Sequence, residues 1–223
     1  MRVLALDAAL GACSVGMVAD GAVLAARREV TRAGQAGLLA VMARAVMDEA
    51  GAPELVAVTV GPGSFTGLRA ALALAHGIAL GAGIDVVGVS VGEALAASLA
   101  ASGALPPGWA LWSAIDSRRE RVFLERDGAV ISVALDALPR APGPVAVAGD
   151  AAIAVAARLA ARGDTVCLTD ARLPGVAGVA LAGLARRAGA LGPRAAQPIY
   201  GDPPAAALPS GGLRPPPVAF GHG

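Results

Sequence analysis

Residues 55–69 read LVAVTVGPGSFTGLR, and this stretch decides the fold class. Leu55 to Val60 is a short apolar run with valine at alternate positions, as in a central strand buried on both faces. It passes directly into Gly61-Pro62-Gly63-Ser64, and from there an alanine- and leucine-rich segment without proline runs to about Gly81. Strand, tight glycine loop and helix together are the unit of an α/β protein. Such a loop presents backbone N–H groups at a helix N-terminus, where an anion can sit, so Gly61, Gly63, Ser64, Thr66 and Gly67 are candidate anion contacts. The Walker pattern, however, needs lysine where Leu68 stands, and GxGxxG is not matched. The same glycines also serve positive φ and close helix-on-strand packing, with Ser64 or Thr66 as N-cap, and spacing favours that structural reading.

Upstream, Arg2 to Leu6 is a β-prone run ending at Asp7, Cys13 to Val18 is a second, and Asp20-Gly21 is a strong hairpin signal leading into a third, Ala22 to Val30. Leu38, Leu39, Met42 and Val46 then recur at helical spacing with Arg44 and Asp48 off the stripe, and Gly51 stops that helix. Downstream, Asp85 to Val89 is a strand and Ser90 caps a helix through Ser102. The first half therefore reads βββαβαβα. Gly103 to Gly108, GALPPG, is the best boundary. Beyond it come strands at Trp109 to Ile115, Arg121 to Leu124, Val130-Ile131, Val145 to Ala148 and Val166 to Leu168. Asp116 to Arg119 forms a turn, and helices are expected at Asp150 to Arg162 and about Val176 to Ala190. This second α/β half reads as a degenerate copy of the first. The expected division is 1–103, a smaller second lobe 104–200, and a Pro/Gly-rich mobile tail 201–223.

Composition narrows the chemistry. Among 223 residues there is no lysine, so a Schiff-base nucleophile and a phosphate-binding lysine are excluded. A net charge of +1 lacks the basic footprint of a protein that wraps nucleic acid alone. Cys13 and Cys167 are far apart and outside any CxxC, and read as small buried hydrophobes. Asp7 interrupts the first apolar run too early for a signal peptide, so a cytoplasmic location is expected. Ala70 to Ile84 is apolar but spans fewer than the roughly 20 residues of a membrane crossing, which favours a buried helix. Its Ala70, Ala71, Ala73, Ala75, Gly77, Ala79 and Gly81 make a face small enough for another backbone to approach closely, and His76 lies within it.

LALDAALGACSVGMVADG near the start, VGPGSFTGLRAALALAHGIALG, VVGVSVGEALA and IDSRRERVF resemble the TsaB (YeaZ) family over roughly Arg2 to Phe123, and Pro198-Ile199-Tyr200 adds a weaker match. The resemblance implies a two-lobed actin-like, Hsp70-like, sugar-kinase (ASKHA) α/β fold, each lobe a mixed sheet with helices. It implies a non-catalytic partner subunit in the synthesis of N6-threonylcarbamoyladenosine at tRNA position 37. The implied partners are the catalytic subunit TsaD and the ATPase TsaE, with a homodimer when TsaD is absent and tRNA reached only through the complex. No stably bound cofactor is implied, ATP or ADP belonging to the complex, and no membrane. The implied partner surface is the stripe Leu38, Leu39, Met42, Val46 together with Leu68, Ala71, Leu72, Ala75 and His76. Asp116 and Arg118 become candidates for the cleft between lobes, although a turn aspartate and a solvated arginine would look the same. Asp7 occupies the place where actin-like ATPases hold a metal-bound water. Here Ala8 and Ala9 follow it, so weak or absent hydrolysis is expected. TsaD holds a metal through histidines, whereas this chain has only His76 and His222, so neither a metal site nor a catalytic residue is expected. The chain departs from the family at Arg32-Ala33-Gly34-Gln35-Ala36, where His-Ser is usual, at Arg121 and Phe123, and at Gly201-Asp202 after the last motif. The competing readings are an ATP-dependent transferase or kinase-like enzyme using Asp7, Ser64 and Thr66, and a metallopeptidase.

Overall fold

The computed structural model describes residues 1–31, 34–118 and 120–199. The chain opens as an antiparallel meander of β1 (Arg2–Asp7), β2 (Cys13–Ala19) and β3 (Ala22–Glu29), turned at Asp20-Gly21. Then β4 (Leu55–Gly61) adds parallel to β1, and β5 (Asp85–Ser90) parallel to β4, giving the order β3-β2-β1-β4-β5. The second sheet contains β6 (Ala110–Arg118), β7 (Arg121–Arg126), β8 (Ala129–Ala134), β9 (Val145–Ala148) and β10 (Val166–Leu168), in the order β10-β9-β6-β7-β8. β6 extends to Arg118, so Asp116, expected in a turn, lies in a strand beside a register irregularity.

On one face of the first sheet lie α1 (Gln35–Ala50) and α2 (Phe65–Ala82). Ser64 caps α2 by accepting from the Gly67 N–H at 3.3 Å, and Gly83 in the left-handed region ends it. Leu39, Ala43, Val46, Ala71, Leu72, Ala75 and Ala79 are sealed against Leu4, Leu6, Val56 and Val58 of the sheet. Each buried leucine there contributes about 2 kcal/mol. With its N-cap at Ser64, one of the two expected, α2 has 18 residues and by length and composition could cross a membrane. Its packed face makes it the cover of a sheet.

α3 (Val91–Ser102) stands between the two sheets. Ala94 faces the first-sheet core of Val3, Ala5, Leu55 and Ala57, while Val91, Leu95 and Leu99 face Ile115 and Ala148 of the second. α4 (Ala152–Ala161) covers the second sheet through Ala152, Val155, Ala156 and Leu159. α5 (Val176–Arg187), expected to complete the second half, packs instead on the first sheet, where Val179, Ala180 and Ala182 join Val3, Ala5 and Ala57. The physical reason is the inner face of the first sheet, which α3 covers only in part through Ala94. Arg186, 8% exposed, ties α5 down by donating to the Gly88 and Gly192 carbonyls and pairing with Glu93 at 2.5 Å. After α5 the chain returns to the first sheet, and Ile199 N–H donates to the Val60 carbonyl at 2.7 Å. Tyr200, residues 201–223 with His222, Arg32 and Ala33 fall outside the described residues.

Candidate functional site

A cavity of about 300 Å³ opens between the sheets. Its first wall is the β1–β2 loop at Ala9, Leu10 and Gly11, with Gln35 and the stretch Gly63 to Thr66, and its second is Asp116, Ser117, Phe123 and Asp150. The ends of β1 and β6 thus meet over the start of α2. Asp116 N–H donates to the Asp150 carboxylate at 2.9 Å, which orders the second wall. Phe65 is 54% exposed and carries the Arg69 guanidinium 3.7 Å from its ring centre. The backbone of Arg118 lies at the end of β6, and its side chain is outside the described residues.

Asp7 lies behind this cavity and is not part of its lining. It is 2% exposed, and one carboxyl oxygen accepts from Thr59 Oγ1 at 2.7 Å and from Ala9 N–H at 3.1 Å. Burial pushes its carboxyl up to about 6 despite those two donors and the charge of Arg28.

The glycine loop is drawn onto the backbone after β1. Ser64 N–H donates to the Ala9 carbonyl at 2.6 Å, and Gly67 N–H is taken by the Ser64 hydroxyl. A Cβ on Gly63 would overlap the Ala9 carbonyl oxygen, and one on Gly67 would overlap the Ala8 carbonyl and the Gln35 side chain. Both glycines therefore have an intrachain reason. Gln35 donates to the Leu10 carbonyl at 3.2 Å and to the Thr31 carbonyl at 3.0 Å, so it supplies polar contacts at the place where the family pattern has histidine and serine.

The expected partner stripe needs correction. Leu39, Val46, Leu68, Ala71, Leu72 and Ala75 are buried within this chain, and Met42 is half-buried. Only Leu38 and His76 of that set are exposed, and His76 Nε2 donates to the Ala196 carbonyl at 2.9 Å. These helices are apolar nearly all round, so helical spacing selected the face that seals the sheet. The outward face keeps Leu38 (37% exposed) and adds Val41 (71%), Leu80 (86%), Ala40, Ala73, Gly37, Gly77 and Gly81, with the exposed Arg44–Asp48 ion pair beside Val41. A Cβ added to any of those three glycines would meet nothing within 4 Å. Cys13 is buried, whereas Cys167, expected to be buried, is half-buried on the edge strand β10. Among the described residues no group of three or more histidines, cysteines, aspartates or glutamates could hold a metal ion.

Sequence reasoning missed Glu125 and Arg186, both buried and both acting across more than thirty residues of chain. The only local trace was the Ser90-x-x-Glu93 capping box, whose glutamate is one end of the Arg186 pair.

Residues 31–177 match the family model described as TsaD: tRNA N6-adenosine threonylcarbamoyltransferase. The tRNA threonylcarbamoyladenosine biosynthesis protein TsaB of Escherichia coli (strain K12) is 38% identical over 94 residues, a stretch spanning 40% of each chain. Among solved structures, YeaZ from Pseudomonas aeruginosa superposes with a TM-score of 0.71 at 28% identity, covering 89% of this chain and 99% of that one. A ROK hexokinase from Thermus thermophilus, at 16% identity and a TM-score of 0.50, covers 82% of this chain and 98% of its own, and shares the fold alone. The architecture is thus the two-lobed ASKHA α/β fold.

Proposed function

The chain belongs to the family of TsaD, tRNA N6-adenosine threonylcarbamoyltransferase, with TsaB and YeaZ as its relatives there, and from that membership we propose that it is a non-catalytic subunit of the machinery making N6-threonylcarbamoyladenosine in tRNA. It binds and orients the catalytic subunit TsaD through the outward face of α1 and α2, TsaE joins the pair, and tRNA is met through the complex in the cytoplasm. In the absence of TsaD the same face pairs two copies. ATP or ADP acts at the level of the complex.

The observation that carries this reading is the outward face itself. Val41 and Leu80 are among the most exposed large apolar residues, and Gly37, Gly77 and Gly81 sit inside helices facing open space. Gly37 is in the first turn of α1 and Gly81 in the last turn of α2, but Gly77 is in a helix interior, where glycine is unfavourable by about 1 kcal/mol relative to alanine, and no described residue within 4 Å of it compensates. A partner backbone that comes close at those positions does, while Val41 and Leu80 leave water on contact. Two further facts support a non-catalytic role: Asp7 is sealed behind the cavity rather than lining it, and Ser64 and Gly67 spend their N–H groups inside the chain.

The test is a pulldown and a tRNA threonylcarbamoylation assay with TsaD and TsaE from the same organism. Val41→Glu and Leu80→Glu lose TsaD and the product together, while Leu39→Glu loses the fold. Undiminished binding by both exposed-face variants would remove the interface, and modification by this chain without TsaD would remove the non-catalytic role.

A further inference from the structure

Glu125 lies on β7 in the second sheet, and its side chain reaches the first residues of α3, which follows the first sheet in the chain. One carboxyl oxygen accepts from Gly92 N–H at 2.9 Å and the other from the Ser90 hydroxyl. Ser90 is at the same time the N-cap of α3: its Oγ accepts from Glu93 N–H at 3.0 Å, and Glu93 accepts from Ser90 N–H at 2.7 Å. A carboxylate placed there meets the unpaired amides and the positive end of the helix dipole. Glu125 is 5% exposed, and burial raises its carboxyl above the ordinary range. Gly92 makes the approach possible, because a Cβ there would stand 2.5 Å from the Glu125 carboxylate. Apolar contact of Val91, Leu95 and Leu99 with Ile115 and Ala148 surrounds the junction, so Glu125 is a polar pin inside an otherwise greasy seam.

A second observation is independent of the first. Ser113 stands directly opposite Glu125 in the β6–β7 register, is 1% exposed, and its hydroxyl has no hydrogen-bond partner among the described residues. An unpartnered buried hydroxyl is unfavourable, because it gives up water on folding and gains nothing in return. Directly opposed residues of an antiparallel pair share a face with Cβ atoms about 5 Å apart, so this hydroxyl sits beside the Glu125 side chain.

We propose that Glu125 is a two-position latch between the sheets. Bound to Ser90 and Gly92, it holds α3 against the second sheet and fixes the opening of the cavity; released, its carboxyl is taken up by Ser113, and a wider arrangement of the sheets becomes accessible. Ser113 is then the resting donor of the open form, which accounts for its lacking a partner in the closed one.

The test places spin labels at Ala52→Cys, in the loop that leads into β4 of the first sheet, and at Ala157→Cys, on α4 over the second sheet, both exposed, in a full-length Cys167→Ser chain with Cys13 sealed in the core. Labelled protein is diluted with unlabelled protein so that only distances within one chain are read by double electron–electron resonance. The parent gives a single distance. Glu125→Ala and Gly92→Ala each add a longer one, and Glu125→Leu, which can make neither hydrogen bond, is the fallback should Glu125→Ala not fold. Ser113→Ala keeps the single distance and raises Tm by about 2–4 °C, since it deletes an unsatisfied group from the closed form. Folded Gly92→Ala and Glu125 variants that retain the parental distance overturn the latch, and so does a Ser113→Ala variant with a lowered Tm.

Discussion

The two sheets follow one plan, a three-stranded antiparallel meander with two parallel strands added beside its first strand. The likeness extends to detail. Gly63 is pressed against the Ala9 carbonyl after β1, and Gly149 is pressed in the same way against the Ala114 carbonyl in β6. Ser64 N–H donates to Ala9 at 2.6 Å, and Ala151 N–H donates to Ala114 at 3.1 Å. An anion-binding reading of the first loop is therefore not needed to explain its glycines, because the close approach recurs at Gly149-Asp150-Ala151, where no serine or threonine follows. The sheets differ in what covers their outer faces. The first carries two long helices whose outward face exposes Val41, Leu80 and glycines, whereas among the described residues the second carries only α4 and has no helix between β8 and β9. What this chain does differently from a symmetric two-lobed protein is concentrated on α1 and α2.

The comparison can be broken most sharply at the paired glycines. Gly63→Ala and Gly149→Ala each destabilise the chain by about 3 kcal/mol or more, since both have positive φ and a carbonyl in the way; urea unfolding measures it, and a mild effect at Gly63 alone would separate the two loops. Next are the outward helix faces. Val41→Glu and Leu80→Glu leave stability within about 0.5 kcal/mol while weakening TsaD binding at least tenfold. Ile153→Glu, at a position 62% exposed on α4, changes neither. Calorimetric titration reads the difference.

Asp7 and Asp116 stand at matching places near the ends of β1 and β6, one buried and one exposed. Asp7 titrates near 6 in the folded chain against an ordinary 3.8, so the folded state takes up its proton before the unfolded state does. Its contribution to stability is fully present below pH 3.8 and is lost as pH rises through 6, a difference of about 3 kcal/mol. Asp7→Asn accordingly stabilises the chain at pH 7.5 by about 2 kcal/mol and flattens the profile between pH 4 and 7. The smallest effect is at Gly77. Gly77→Ala raises stability of the isolated chain by about 1 kcal/mol, because a Cβ there meets nothing, and lowers affinity for the partner.

The order of elements was legible in the sequence because the hairpin turn at Asp20-Gly21, glycine stops at Gly51 and Gly103, and the Ser90 cap are local signals. The outward face of α1 and α2 was not, since periodicity identifies a contrast between faces and these helices offer apolar residues on both. Nor was the position of α5. Its spacing states that one side must be covered but not which sheet will cover it, and that is decided by a face left open more than eighty residues earlier. Glu125 left no signal of any kind, because a single acidic residue in a strand gains its meaning only from Ser90 and Gly92 across the seam.

The placement of α5 also orders events during translation. Val3, Ala5, Leu55, Ala57 and Val89 form an inner sheet face that only Val176–Arg187 finishes covering. On the ribosome the first sheet can pair its strands early, yet it stays open on that side while the whole second sheet is still being made. A nascent chain stalled after β10 would expose an unfinished hydrophobic wall, and it is in that interval, rather than in the mature protein, that a chaperone has the most to shield.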